Sequence, residues 1–133
     1  MDFTLGWRRL ADAAAGDEAP LRALFADARA PDAWLARWQA RCASESGGNA
    51  KQASAIAGIE RAQAMRSVNP IVIARNHRVE EALAAASDQD DLAPFERLLE
   101  ALRQPYVETP EQAPYAEPAP AAVTACYRTF CGT

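Results

Sequence analysis

Residues 51–70, KQASAIAGIERAQAMRSVNP, contain the clearest secondary-structure signal in this chain. Apolar side chains recur there at three- and four-residue steps, the spacing that places them on one face of an α-helix. The stripe consists of Ala53, Ile56, Ala57, Ile59, Ala62 and Met65. Gly58 is the main helix breaker within it, and Asn69 precedes Pro70, where the residue before proline avoids the helical region. The pattern predicts that the longest helix of the chain extends from Lys51 to about Arg66.

On the N-terminal side the periodicity predicts three shorter helices. In the first, Asp2 is a candidate cap and Gly16 ends the pattern. The second begins near Pro20 and continues to Ala28, because proline fits the first helical turn. The third begins at Pro31 and Asp32, and its apolar positions are Trp34, Leu35, Trp38 and Cys42. Residues 44–49, SESGGN, predict a loop before the long helix.

On the C-terminal side two further helices are predicted. Ile71, Val72 and Ile73 form an apolar run that is too short to indicate a sheet. Asn76 is the candidate cap of a helix that the acidic turn 88–91 separates from a last helix containing Phe95 and Leu98. The sequence therefore predicts an all-α fold of about six short helices in an irregular bundle.

Residues 104–133 differ from this pattern because they contain five prolines and show no helical periodicity. We therefore predict two regions, a helical region at 1–103 and an extended Pro-rich tail at 104–133. A structureless segment of this length rarely belongs to a self-sufficient domain. The tail is expected either to be disordered or to lie against a surface outside this chain.

The composition disfavours several classes of partner. The formal net charge is −4 and the pI is about 5.0, whereas binding to nucleic acid or to an anionic membrane requires a concentrated basic face. No apolar run approaches the roughly 20 residues of a membrane span. Thirteen arginines against one lysine, with abundant alanine, indicate a GC-rich bacterial source. These observations favour a cytoplasmic bacterial protein that binds neither nucleic acid nor membrane.

Neither the cysteines nor the acidic residues indicate a metal centre. Cys42, Cys126 and Cys131 do not have the spacing of a disulfide framework or of a zinc site. Asp88, Asp90 and Asp91 lack the glycine and the distal glutamate of a calcium loop, so a solvated turn is the favoured interpretation. The residues alone indicate no catalytic, cofactor-binding or metal site.

Two groups of residues allow a functional as well as a structural interpretation. Trp34 and Trp38 lie one helical turn apart and could stack on a flat ligand, but core packing is the commoner role of such a pair. Residues 69–77, NPIVIARNH, bring Arg75 and the single histidine, His77, to a predicted helix N-terminus, as in an anion site. The favoured interpretation is structural: Asn76 caps the helix, Arg75 binds a carbonyl or carboxylate, and His77 is a surface residue.

An ordered series of blocks resembles one known family. The first is Phe3 and Thr4 with Trp7, Arg8, Arg9 and Leu10, and the second is Trp34 and Leu35 with Trp38. The most distinctive runs from Met65, Arg66, Val68, Asn69 and Pro70 to Arg75, Asn76, His77, Val79 and Glu80. Phe95, Leu98 and Leu99 with Pro105 and Tyr106, and finally residues 127–133, YRTFCGT, complete it. The chain is similar to the C-terminal region of the selenoprotein O (YdiU, UPF0061) family.

The resemblance implies a part of a pseudokinase-fold protein adenylyltransferase, which transfers AMP from ATP to protein hydroxyl groups with Mg²⁺ or Mn²⁺. The nucleotide-binding and catalytic residues of the family are expected upstream of the matched region, so none is assigned here and the chain alone is expected to be inactive. Its implied partners are that kinase-like core and the protein substrates of the full-length enzyme.

One functional position carries over from the family. Cys131 matches its redox cysteine, third from the end of the chain, with Cys126 as a possible local thiol partner. An inert, reduced thiol is the competing interpretation of Cys131. A second hypothesis for the chain as a whole is a stand-alone helical module that binds another protein.

Overall fold

The computed structural model describes residues 1–45 and 51–126, with the backbone alone for residues 51–54 and 126. Its elements in this part of the chain are all α-helices, which confirms the predicted fold class. They are α1 (Phe3–Ala14), α2 (Ala19–Arg22), α3 (Asp32–Glu45), α4 (Lys51–Val68), α5 (Asn76–Gln89), α6 (Ala93–Arg103), α7 (Ala113–Ala116) and α8 (Ala121–Cys126). Two compact units divide the chain, with Met1–Ile71 as the first and the second beginning at Val72.

The helices with strong periodicity lie where the sequence predicts them. In α1 the Asp2 carboxylate accepts a hydrogen bond from the Leu5 amide at 2.9 Å, so Asp2 is the N-cap as predicted. The second helix is shorter than predicted, because it ends at Arg22 rather than continuing to Ala28. Arg22 Nη1 donates to the Ala28 carbonyl oxygen at 2.9 Å, which holds the following residues in turns instead.

The tail is predicted to be non-helical, but it contains two short helices, α7 and α8. Pro114 occupies the first turn of α7, and Pro120 immediately precedes α8. Proline is tolerated in the first helical turn because the N–H that it lacks has no intrahelical partner there. The predicted boundary after residue 103 stays a prediction.

In the first unit, helices α1 and α4 approach each other closely at Gly58. A Cβ atom at this position would lie 2.5 Å from the carbonyl oxygen of Ala14. Nearby, Leu10, Ala13, Leu21 and Leu35 form the buried core of the unit. Leu24, Phe25, Trp38 and Met65 pack against this core. The absence of a side chain at Gly58 therefore sets how near the two helices can lie.

A buried arginine joins α1 to the end of α4. Arg8 is only 2% exposed, and its Nη1 donates to the carbonyl oxygens of Arg66 at 3.0 Å and Asn69 at 3.2 Å. The last carbonyls of a helix have no intrahelical donors, so a guanidinium satisfies them well. Asp12 adds an ion pair with Arg66 and a second one with Arg9 at 3.1 Å. The first and third sequence blocks thus meet in one polar network.

The second unit is built on helices α5 and α6, whose buried residues are His77 and Ala82 from α5 and Leu98 and Ala101 from α6. Between them Asp90 adopts a left-handed conformation with φ of 55° and ends α5. The amide of the buried Val72 donates to the Pro105 carbonyl oxygen at 3.2 Å. This bond ties the start of the unit to the residues that follow α6.

We expect Gly58→Ala to destabilise the first unit by about 1–3 kcal/mol, because the new methyl group would collide with the Ala14 carbonyl. The change in intrinsic helix propensity alone would have the opposite sign, since alanine is favoured over glycine by about 1 kcal/mol. Thermal or urea unfolding measures the difference. Gly6→Ala in α1 is the matched control, because its Cβ would meet only the flexible end of Met1 at 3.3 Å. A Gly58→Ala protein as stable as the Gly6→Ala protein would contradict the proposed close approach.

We also expect an acid-dependent contribution to stability from Arg22, which pairs with Glu18 at 2.7 Å and with Asp32. The Arg22 guanidinium, and after it the Gln39 amide, lowers the pKa of Glu18 below its ordinary value of 4.5. The same guanidinium lowers the pKa of Asp32 below 3.8. A lowered folded-state pKa stabilises the fold above the unfolded-state pKa, and this stabilisation disappears as the pH falls through the folded-state pKa.

The midpoint of thermal unfolding of the original chain should therefore exceed that of an Arg22→Gln variant at pH 7, and the two should converge as the pH falls below about 4. Arg37→Gln provides a matched control, because Arg37 is an exposed residue of α3. A difference between the original chain and Arg22→Gln that stays constant from pH 7 to pH 2 would refute this role of the ion pairs.

Candidate functional site

The sequence cluster 69–77 is divided between the two units. Asn69, Pro70 and Ile71 belong to the first unit, and the rest of the cluster to the second. The Asn69 side-chain amide donates to the Met65 carbonyl oxygen at 2.8 Å. The backbone carbonyl oxygen of Asn69 accepts a hydrogen bond from Arg8. In the first unit this part of the cluster therefore ends α4 and contributes to packing.

The second part of the cluster forms the N-terminus of α5. Arg75, in an extended conformation, is the N-cap, and Asn76 is the first helical residue. The prediction that Asn76 caps the helix is thus wrong by one position, and no side chain forms a capping hydrogen bond there. Arg75 Nη2 donates to the Ala116 carbonyl oxygen at 2.8 Å, which agrees with the structural interpretation of this residue.

The prediction that His77 is a surface residue is wrong, because the side chain is only 8% exposed. Residues 119–124, which follow α7 in the chain, line the same cavity as the first turn of α5. Ala119, Val123 and Thr124 face the same space as His77, although they lie more than forty positions away in the sequence. A local pattern cannot reveal this burial.

The cavity beside His77 has a volume of about 390 Å³ and polar as well as apolar walls. Its described lining residues are Ile73, Ala74, Arg75, Asn76, His77, Ala119, Val123 and Thr124. None of these residues is acidic, and one is a permanent cation. The arrangement can therefore accept a polar or anionic group near the N-terminus of α5.

The two tryptophans differ in environment. Trp38 packs against the core of the first unit, as predicted, whereas Trp34 is 45% exposed, so the prediction that it lies in the core is wrong. The rings stack with centroids 6.1 Å apart and planes at 8°. Leu35, 2% exposed, belongs to the core cluster against which Trp38 packs.

Trp34 also borders an apolar cavity of about 300 Å³ in the first unit. Its rim includes Phe3, which is 76% exposed, and Trp7, which is 48% exposed. Sequence reasoning assigned these aromatic residues to helix faces and to family blocks but did not anticipate the cavity. The presence of Phe3 and Trp7 in the first block and of Trp34 in the second is the only sequence feature that links these residues.

The acidic turn is a structural feature of the second unit. Asp88, Asp90 and Asp91 are all exposed, and the Asp91 carboxylate accepts a hydrogen bond from the Ala93 amide at 2.9 Å. No group of three or more His, Cys, Asp or Glu side chains able to hold a metal ion occurs among the residues whose placement is described.

The cysteine predictions are not tested by the structure. Cys42 is partly buried in α3, and its carbonyl oxygen accepts from Arg61 Nη2 at 3.3 Å. Cys126 is the last residue of α8, but its side chain lies outside the described part of the chain, as does all of Cys131. The redox role of Cys131 and the possible partnership with Cys126 stay predictions. Most of the predicted 44–49 loop also lies outside the described residues.

Comparison with known proteins gives a consistent result. No family model matches the sequence. Proteins named "Protein nucleotidyltransferase YdiU" are similar to 99% of the chain, with 52% identity in Cereibacter sphaeroides, 50% in a Bradyrhizobium species and 42% in Agrobacterium fabrum. The chain spans about a quarter of the length of these curated relatives.

Identity at this level over nearly every residue defines the chain as an all-helical segment homologous to protein nucleotidyltransferases. The chain belongs to the YdiU (UPF0061) family, as the ordered sequence blocks predict. None of the described helices is both long enough and apolar enough to cross a membrane.

We expect the two tryptophans to contribute unequally to stability. Trp38→Ala should cost about 3 kcal/mol, because the side chain packs against the core. Trp34→Ala should cost about 0.5–1.5 kcal/mol, the range of an aromatic pair, because the ring is otherwise half exposed. Urea unfolding of the two variants measures both values. Equal losses for the two variants would contradict their assigned environments.

Proposed function

We propose that this chain supplies a helical part of a protein adenylyltransferase that transfers AMP from ATP to hydroxyl groups of protein side chains. The reaction uses Mg²⁺ or Mn²⁺ and takes place in the bacterial cytoplasm. The observation that carries this proposal is 52% identity over 99% of the chain to a relative named as a protein nucleotidyltransferase. The more specific part of the proposal, AMP transfer to hydroxyl groups of proteins, rests on the resemblance of the sequence blocks to the selenoprotein O family.

We further propose that the 133 residues do not catalyse the reaction alone. Nucleotidyl transfer requires phosphates bridged by metal ions and held in line with the attacking group. Several carboxylates of the first unit are instead engaged in packing: Asp12 pairs with Arg66, and Glu18 and Asp32 pair with Arg22. The relatives are about four times as long, which leaves room for the catalytic machinery in their other segments.

The first unit offers a surface for the kinase-like core of the family. Phe3, Trp7 and Trp34 surround the apolar cavity and are each at least 45% exposed. Contiguous exposed apolar patches are uncommon on proteins that act without a partner. We propose that the core packs against this patch in the full-length enzyme. A stand-alone module for another protein would use the same residues, and it would be monomeric by gel filtration rather than self-associated.

Incubation of the chain with radiolabelled ATP, MgCl₂ or MnCl₂ and a protein acceptor tests the proposal. We expect no transfer of label to the acceptor, because the metal-binding and nucleotide-binding groups implied by the family are supplied elsewhere. The matched control is a full-length YdiU relative under identical conditions, which should label the acceptor.

Two results would contradict the proposal in different ways. Label transfer by the 133 residues alone would show that they form a catalytic site and would refute the claim of inactivity. Absence of transfer by the full-length relative, in contrast, would remove support for adenylyltransferase activity itself. The second result would leave the assignment to the family unchanged.

A further inference from the structure

The first turn of α5 has two backbone donors without acceptors. The amides of Arg78 and Val79 donate to the Arg75 carbonyl oxygen at 2.9 and 3.0 Å. Within the described residues, the amides of Asn76 and His77 donate to no oxygen atom. No acidic residue occupies this turn, and no side chain caps it. A helix N-terminus with unpaired N–H groups carries a partial positive charge.

The imidazole of His77 provides a second and independent observation. It is more than nine-tenths buried, lines the cavity beside the helix, and makes no hydrogen bond among the residues that the structure describes. Buried polar side chains nearly always have a partner, because burial without one costs free energy. The ring is not hydrogen-bonded to the described protein residues, so it is available at the wall of this cavity to a ligand with a complementary acceptor.

The rest of the cavity has the charge and size for an anion. Its volume of about 390 Å³ exceeds that of a small oxyanion, and none of its described lining residues is acidic. Arg75 contributes a positive charge, and Thr124, whose hydroxyl donates to the Pro120 carbonyl oxygen at 3.2 Å, is a further lining residue. Asn76 and His77, which carry the two amides and the imidazole, both line this cavity at the first turn of α5.

We propose that the first turn of α5 binds an oxyanion and that a phosphate group is its ligand. The amides of Asn76 and His77 donate to phosphate oxygens, and the His77 ring donates to a further oxygen. A tetrahedral phosphate presents acceptors in several directions, which suits donors from the backbone and from a side chain, and helix N-termini commonly bind phosphate. The proposal goes beyond the proposed function, because it requires neither AMP transfer nor any other segment of the family.

Nuclear magnetic resonance of the 133-residue chain tests the site directly, because His77 is its only histidine and gives one set of imidazole signals. Inorganic phosphate is added at constant pH, with sodium chloride adjusted to keep the ionic strength constant. We expect saturable shifts of the His77 ring and of the Asn76 and His77 amides, while the amide of the buried Leu98 in α6 stays unchanged. The absence of a saturable shift at these three groups would overturn the proposal.

A backbone substitution gives a sharper test of the same site. Asn76→Pro deletes one proposed donor, and proline is tolerated at the first helical position. Arg75 already has the extended conformation, φ −77° and ψ 128°, that a residue before proline prefers. We expect phosphate affinity to fall roughly tenfold, the effect of one lost hydrogen bond to a charged group. Asn76→Ala is the matched control, since it keeps the N–H group and should bind as the original chain does.

His77→Phe provides an independent measurement, because it removes the imidazole donor and keeps an aromatic ring of similar bulk. We expect it also to weaken phosphate binding, as followed at the Asn76 amide. Unchanged affinity in both Asn76→Pro and His77→Phe would overturn the proposal. Acetate is titrated in a parallel experiment, and binding of acetate as tight as that of phosphate would overturn the assignment of phosphate as the ligand.

Discussion

The buried guanidinium of Arg8 organises the first unit, because it supplies donors to carbonyls that the end of α4 would otherwise leave unpaired. Burial of an arginine to 2% exposure costs free energy, which hydrogen bonds from its Nη1 to two carbonyl oxygens offset. The two acceptors, from Arg66 and Asn69, fix the end of α4 against α1. Gly58 permits this approach farther along the same helix, since its missing side chain leaves room for the Ala14 carbonyl.

The same constraint joins two of the sequence blocks that resemble the family, although they lie far apart in the chain. Trp7, Arg8 and Leu10 come from α1, whereas Met65, Arg66 and Asn69 come from the end of α4. The Arg8 side chain donates to the backbone carbonyl oxygens of Arg66 and Asn69, and Leu10 and Met65 pack in one apolar core. The resemblance therefore rests, for these two blocks, on residues that meet in the folded unit.

The second unit combines structure and binding chemistry at the N-terminus of α5. Arg75 and Arg78 use side-chain nitrogens to hold the carbonyls of Ala116 and Pro114, so the Pro-rich segment is fixed to this helix. Ala119, Val123 and Thr124 of the same segment line the cavity beside His77 whose donors we assign to phosphate. The Pro-rich segment thus builds one wall of the candidate site, although its composition suggested only an extended tail.

Local sequence patterns were sufficient to predict the all-helical class, the Asp2 cap and the positions of α1 and α3–α6. Each of these depends on side-chain periodicity or on a capping residue within one turn, and such interactions act between near neighbours in the chain. The residues of the 69–77 cluster also show by themselves that it is chemically distinctive. They do not show that the cluster is divided between two compact units.

The remaining features depend on contacts between residues distant in sequence. The cavity beside His77 is lined in part by Ala119, Val123 and Thr124, and the exposure of Trp34 follows from which side of α3 meets the core. The early end of α2 coincides with the bonds that Arg22 makes to Ala28 and Asp32. Periodicity shows that two side chains share a helix face, but burial is decided by what packs against that face, which the local sequence does not contain.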